Sequence, residues 1–126
     1  MRFPLLRPLL ALALLAASLP SLALDSNKWR LQCSGGANAD GVITLRITPK
    51  GGAPTEVAVA IKDRAGENAV ARAIRDALKA QVGDRYTAEI DDGEDVLVKK
   101  RGRQPDFEIA VVSNTVKGVR VNSDRE

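Results

Sequence analysis

The chain reads as an α+β domain in which a single helix packs on one face of an antiparallel sheet, in the order β-β-β-α-β-β-β-β. Three observations predict it. Apolar residues recur at every second position in a series of short stretches, the signature of half-buried strands. The period changes once, over residues 70–82, to the three- and four-residue steps of an amphipathic helix. Connections between successive strands are short, which favours antiparallel neighbours. No linker is long enough to separate a pair of domains and no segment repeats, so residues 24–126 read as one domain.

Trp29, Leu31 and Cys33 alternate with Lys28, Arg30 and Gln32 as a first strand. Residues 34–41, built from Ser, Gly, Ala, Asn and Asp, predict a flexible loop. Ile43, Leu45 and Ile47 form the second strand, and Pro49, Gly51, Gly52 and Pro54 mark the turn after it. Val57, Val59 and Ile61 form the third. Ala58 and Ala60 on its other face are not strongly polar, which predicts partial cover there. Val70, Ala73, Ile74, Ala77, Leu78 and Val82 make the buried stripe of the helix, with Asn68 as N-cap and Gly83 as the C′ residue. The alanines at 73 and 77 permit close approach to a sheet.

Tyr86, Ala88 and Ile90 resume the strand period, and Val96 and Val98 continue it beyond the acidic turn at 91–95. The length of that turn follows from the pattern. A two-residue loop at Asp92-Gly93 would pair Ile90 with Asp95 and put an acid on the apolar face. An odd-length loop pairs Ile90 with Val96 and Ala88 with Val98. Because a slip of one residue inverts every side chain, the odd length is expected. Phe107, Ile109 and Val111 follow the basic connection at 99–105. Val119 and Val121 make a short last strand, and residues 123–126 are expected to fray.

Residues 55–112 run strand, Ala65-Gly66-Glu67, Ala-rich helix, Tyr86-Thr87-Ala88-Glu89-Ile90, acidic glycine turn, Val-rich strand, then Phe107-Glu108-Ile109-Ala110-Val111. This pattern resembles a strand–helix–hairpin module of contractile-tail sheath and bacterial surface proteins. The resemblance implies an assembly or scaffold role without catalysis.

Residues 1–23 have the layout of a secretory signal peptide. Arg2 and Arg7 open it, residues 9–19 are Leu, Ala and Ser only, Pro20 breaks the run, and Ser21 and Ala23 supply the small residues before a cleavage site. The apolar run falls short of the roughly 20 residues that span a bilayer as a helix. The expectation is export, to the periplasm or beyond the cell, with no transmembrane segment. Trimming removes two arginines and leaves 17 basic residues against 16 acidic, a net charge of +1 in place of +3. A near-neutral domain has no global field to draw in polyanions, which argues against nucleic acid.

Histidine is absent. That excludes Ser-His-Asp and Cys-His catalysis and the four-ligand zinc sites built from Cys and His. Cys33 is the only cysteine, so no internal disulfide can form. Its register with Trp29 and Leu31 reads as a buried small hydrophobe. The alternatives are a bridge to a second copy, giving covalent self-association, and a nucleophile, for which no base is at hand. No cofactor and no metal are expected.

Two charged clusters stand out. Lys99, Lys100, Arg101 and Arg103, with Arg72, Arg75 and Lys79 at helical steps of three and four, form the candidate partner contact. Such a surface would grip an acidic protein or an anionic envelope component such as lipopolysaccharide phosphates. The plainer reading is a solvated loop and helix face, partly neutralised by Asp76. Asp91, Asp92, Glu94 and Asp95 form a candidate acidic tip. Carboxylate oxygens suit calcium, but this spacing is not that of an EF-hand loop. Glycosidic hydrolysis needs two carboxyls facing across a cleft, which a hairpin tip does not offer. Trp29, Tyr86 and Phe107 are in phase with core faces, not exposed as platforms for bases or sugars.

The resulting reading is an exported, non-enzymatic binding or assembly protein that acts through a protein surface. The alternative is an inhibitor or immunity-type protein that plugs the basic cleft of an exported hydrolase with its acidic tip. A third is a carboxylate-dependent hydrolase.

Overall fold

A computed structural model describes residues 25–126. The signal peptide read at 1–23 lies outside them. The elements run in the expected order: β1 (Lys28–Ser34), β2 (Gly41–Pro49), β3 (Thr55–Ile61), α1 (Glu67–Val82), β4 (Tyr86–Asp91), β5 (Asp95–Lys100), β6 (Phe107–Asn114) and β7 (Arg120–Arg125). All strand pairings are antiparallel. The fold is α+β, and its strands divide between two sheets where the periodicity alone pictured one. A four-stranded sheet has the order β4-β5-β1-β7, and a three-stranded sheet the order β3-β2-β6.

The two sheets meet at one corner. Ser26, just before β1, and Phe107, at the start of β6, exchange backbone hydrogen bonds of 2.9 Å each. The Trp29 Nε1–H also donates to the Phe107 carbonyl oxygen, at 2.7 Å. On the other side α1 closes the gap, packing against β3 of one sheet and β4, β5 and β1 of the other. Its Gln81 side chain donates to the Ala58 carbonyl on the β3 edge, at 3.0 Å.

Alternation decides which side chains fill the space between these layers. Trp29, Leu31 and Cys33 of β1, Ile43, Leu45 and Ile47 of β2, and Val57, Val59 and Ile61 of β3 are all buried. Val70, Ala71, Ile74, Leu78 and Val82 are the buried residues of α1. Ala73 and Ala77 are only partly buried, while Ala71 is fully buried. Phe107 and Tyr86 meet with ring centroids 4.7 Å apart and planes tilted by 57°, a favoured aromatic geometry. Each fully buried Val, Leu, Ile or Phe contributes about 1.5–3 kcal/mol of transfer free energy.

The β4–β5 turn is a three-residue loop, Asp92-Gly93-Glu94, with Ile90 opposite Val96 and Ala88 opposite Val98, as the apolar pattern requires. Asp92 and Gly93 both have positive φ, 52° and 80°, which reverses the chain within so short a loop.

Several local expectations are corrected. The N-cap of α1 is Gly66, without a side-chain cap, and Asn68 lies in the first turn. The backbone around Ala65 sets this entry: Ala37 N–H donates to the Ala65 carbonyl, and Val70 N–H to that of Gly66. Gly83 is the C-cap itself, in right-handed conformation, with φ −65°. Ala58 and Ala60 are exposed, because no element covers that face of β3. Residues 34–40 are not loose. Ala37 is buried and bonded to Ala65 and Arg64, and Asn38 N–H donates to the Lys117 carbonyl. Residues 123–125 do not fray, since β7 pairs along β1 as far as Arg125 opposite Trp29.

Residues 55–112 contribute strands to both sheets. β3 and β6 belong to one sheet, and the β4–β5 hairpin to the other.

Candidate functional site

The register of β1 on β5 places Lys28 directly opposite Lys99. Both are in phase with Arg30 and Leu97, so they point to the face of the four-stranded sheet away from α1. Like charges directly opposite across a strand pair are destabilising. Lys100 follows, and its N–H donates to the Asn27 carbonyl at 3.2 Å, fastening the two walls together. Asn27, Lys28, Lys99, Lys100 and Gly102 line a depression of about 310 Å³. Gly102, at φ 51°, forms its rim with open space around its Cα.

The charges here are only partly spoken for. Lys99 Nζ lies 3.2 Å from Glu89 Oε1, and Lys100 Nζ 2.9 Å from Asp106 Oδ1. The Lys99–Glu89 pair is the more exposed of the two, and exposed pairs contribute about 0–1 kcal/mol. Lys28 and Arg103 make no ion pair among the described residues.

The remaining basic candidates separate. Arg101 is a structural group: its Nε–H donates to the Gly83 carbonyl at 2.7 Å, and its N–H to the Arg85 carbonyl at 2.9 Å. A cation at the C-terminal end of α1 also complements the helix dipole. Arg75 pairs with its neighbour Asp76 at 2.9 Å. Arg72 and Lys79 are exposed and make no ion pair among the described residues. The helix lies on the opposite side of the four-stranded sheet from Lys28 and Lys99, so the helix stripe and the lysine groove are two surfaces.

The acidic tip is divided as well. Asp91 and Asp95 face each other across the base of the hairpin. Arg30 Nη1 sits 2.9 Å from Asp91 Oδ2 and 2.8 Å from Asp95 Oδ2, while its Nε–H donates to Glu126 Oε2 at 3.2 Å. Hydrogen bonds that Arg30 donates to Glu126, then Asp95, then Asp91 raise the guanidinium pKa further above its ordinary value. Asp92 and Glu94 remain at the loop, with Gly93 turned toward the Asn68 side chain.

Cys33 is buried in the core, 3% exposed. Burial first, then the charges of Asp95, Glu67 and Glu94, push its thiol up to about 12. Tyr86 is pushed up too, by burial, against the opposing effect of Arg85. A second depression, about 370 Å³, is lined by Ser34, Gly35, Gly118, Val119 and Arg120. Its walls are mostly backbone, where a side chain at Gly35 or Gly118 would overlap the facing carbonyl.

Sequence reasoning found Lys99 and Lys100 but not Lys28. The only local signal was its place on the polar phase of the first strand. What makes it a neighbour of Lys99 is the pairing of β1 with β5.

No helix among the described residues is long and apolar enough to cross a membrane. No protein-family model and no curated protein sequence matches the chain.

Proposed function

We propose that the protein is an exported, non-enzymatic binding protein that meets an anionic partner through the lysine groove between β1 and β5 and the Arg103 loop beside it. The observation that carries this reading is the Lys28–Lys99 pair. Two ammonium groups set opposite each other weaken the isolated sheet, and negative charge brought by a partner offsets that repulsion. Of the neighbouring ion pairs, Lys99 with Glu89 is exposed and exchangeable, while Lys100 with Asp106 is half-buried. The Arg30 cluster supports the same reading over the alternatives. With Asp91 and Asp95 already bound to Arg30, the hairpin presents less free acid for plugging a basic cleft or for paired carboxylate chemistry.

The test is retention of envelope components on immobilised residues 24–126. Wild type is compared with Lys28→Glu/Lys99→Glu and with Arg72→Glu/Lys79→Glu. The reading predicts that the groove variant loses what wild type and the helix variant retain. Equal retention by all three, with each variant folded by circular dichroism, would refute it.

A further inference from the structure

We infer that the groove lined by Asn27, Lys28, Lys99, Lys100 and Gly102 is a binding site for a phosphate-type oxyanion, an inference that rests on the groove being the contact surface proposed above. Three features of the site select this chemistry. The first is charge. Three lysines border one small depression. Lys28 and Lys99 face each other on one side of the strand pair, and Lys100 is on the alternate phase, paired with Asp106. A phosphate monoester or pyrophosphate brings more than one negative charge to the facing pair. A single carboxylate would leave the Lys28–Lys99 repulsion largely in place.

The second feature is geometry. The lining cations are all lysines, with rotatable donors on flexible stems. Such point charges suit a tetrahedral oxyanion approached from several sides. Planar carboxylates are matched by the fixed fork of a guanidinium. Arg101, next in sequence to Lys100, spends its Nε–H on the Gly83 carbonyl, while Arg30 is held by Asp91, Asp95 and Glu126. The third is the frame. The Lys100 N–H to Asn27 carbonyl bond and the Lys28–Lys99 register hold both walls on paired strands. The backbone positions from which the lysine stems extend are therefore fixed before any ligand arrives. A volume of about 310 Å³ accommodates a phosphate group with a modest substituent.

The shared chemistry has two sources, a soluble phosphate ester or the headgroup of a phosphomonoester lipid. The experiment is an amide-detected NMR titration of residues 24–126 with inorganic pyrophosphate. In parallel, the protein is sedimented with vesicles of phosphatidylcholine, with and without phosphatidic acid. Pyrophosphate is expected to shift the amides of 27, 28 and 99–102 in a saturable way. Lys28→Gln and Lys99→Gln should each weaken binding about tenfold, while Lys117→Gln, at the far end of the strands, changes nothing. Pyrophosphate binding without vesicle binding supports the site and assigns it to soluble esters. Added sedimentation with phosphatidic acid that Lys28→Gln abolishes supports it and assigns it to a headgroup. Shifts spread evenly over basic residues, or a Lys28→Gln titration indistinguishable from that of Lys117→Gln, would overturn the site. If the groove variant still loses its retained components while no phosphate binds, the oxyanion inference falls and the contact surface stands.

Discussion

The Trp29 indole N–H donates to the Phe107 carbonyl oxygen at 2.7 Å, and that bond ties the four-stranded sheet to the three-stranded one. Both residues are buried, at 4% and 0% exposure. The same carbonyl accepts the Ser26 N–H, so one peptide group anchors the corner where the sheets meet. Trp29→Phe removes the indole donor and keeps an aromatic ring. The expected cost is about 1–2 kcal/mol, read as a lowered urea midpoint. Trp29 is also the only tryptophan, so wild-type unfolding is followed by a red shift of its emission.

Arg30 is the second internal tie. It draws together both ends of the β4–β5 turn and the Glu126 side chain. Arg30→Leu leaves Asp95, 8% exposed, without its cationic partner. A loss of stability, read as a lowered urea midpoint, is expected from this orphaned carboxylate. Arg30→Leu/Asp95→Asn should recover some of it. A double variant no more stable than Arg30→Leu would show that the cost lies elsewhere than in Asp95.

Cys33 fixes an alkaline dependence of stability. The unfolded thiol ionises near 9.0, while burial keeps the folded one neutral up to about 12. The folded state therefore holds a proton that the unfolded state releases, and stability falls as pH rises from 9 toward 12. Tyr86, raised in the same direction, adds to the fall at its alkaline end. Urea midpoints measured at about pH 8 and about pH 10 should drop more in wild type than in Cys33→Ala. A thiol reagent at the lower pH should label Cys33 only at the rate of unfolding.

Arg101 and Arg103 sit two residues apart and should behave oppositely. Arg101→Ala removes the donor to the Gly83 carbonyl at the end of α1. It should cost about 0.5–1.5 kcal/mol in thermal or urea unfolding. Arg103→Ala should leave stability unchanged and weaken partner retention. Reversal of these two outcomes would reassign the roles along the loop.

The hairpin register was legible because it is a local problem. Ile90, Val96 and Asp95 lie within a few residues of one another, and only one loop parity keeps the acid off the apolar face. The helix stripe was legible for the same reason. The caps were not. Asn68 is a good N-cap by type, yet the tie between Ala65 and Ala37, from distant loops, starts the helix at Glu67. The division into two sheets depends on β1 choosing β5 and β7 while β2 chooses β3 and β6, and period-two alternation is blind to that choice. The groove shares this blindness. Lys99 and Lys100 stand out within a basic run, while Lys28 gains meaning only from its cross-strand partner. Arg101, equally basic by sequence, is drawn away by a helix end that no linear pattern brings to it.

Salt dependence of retention tests the central claim most directly. Envelope components held by residues 24–126 are eluted with sodium chloride from about 0.05 M to about 0.5 M, a range over which exposed charges become screened. The account predicts elution within this range for wild type, and no binding to elute for Lys28→Glu/Lys99→Glu. Retention that persists at the highest salt and is unaffected by the groove substitutions would contradict it.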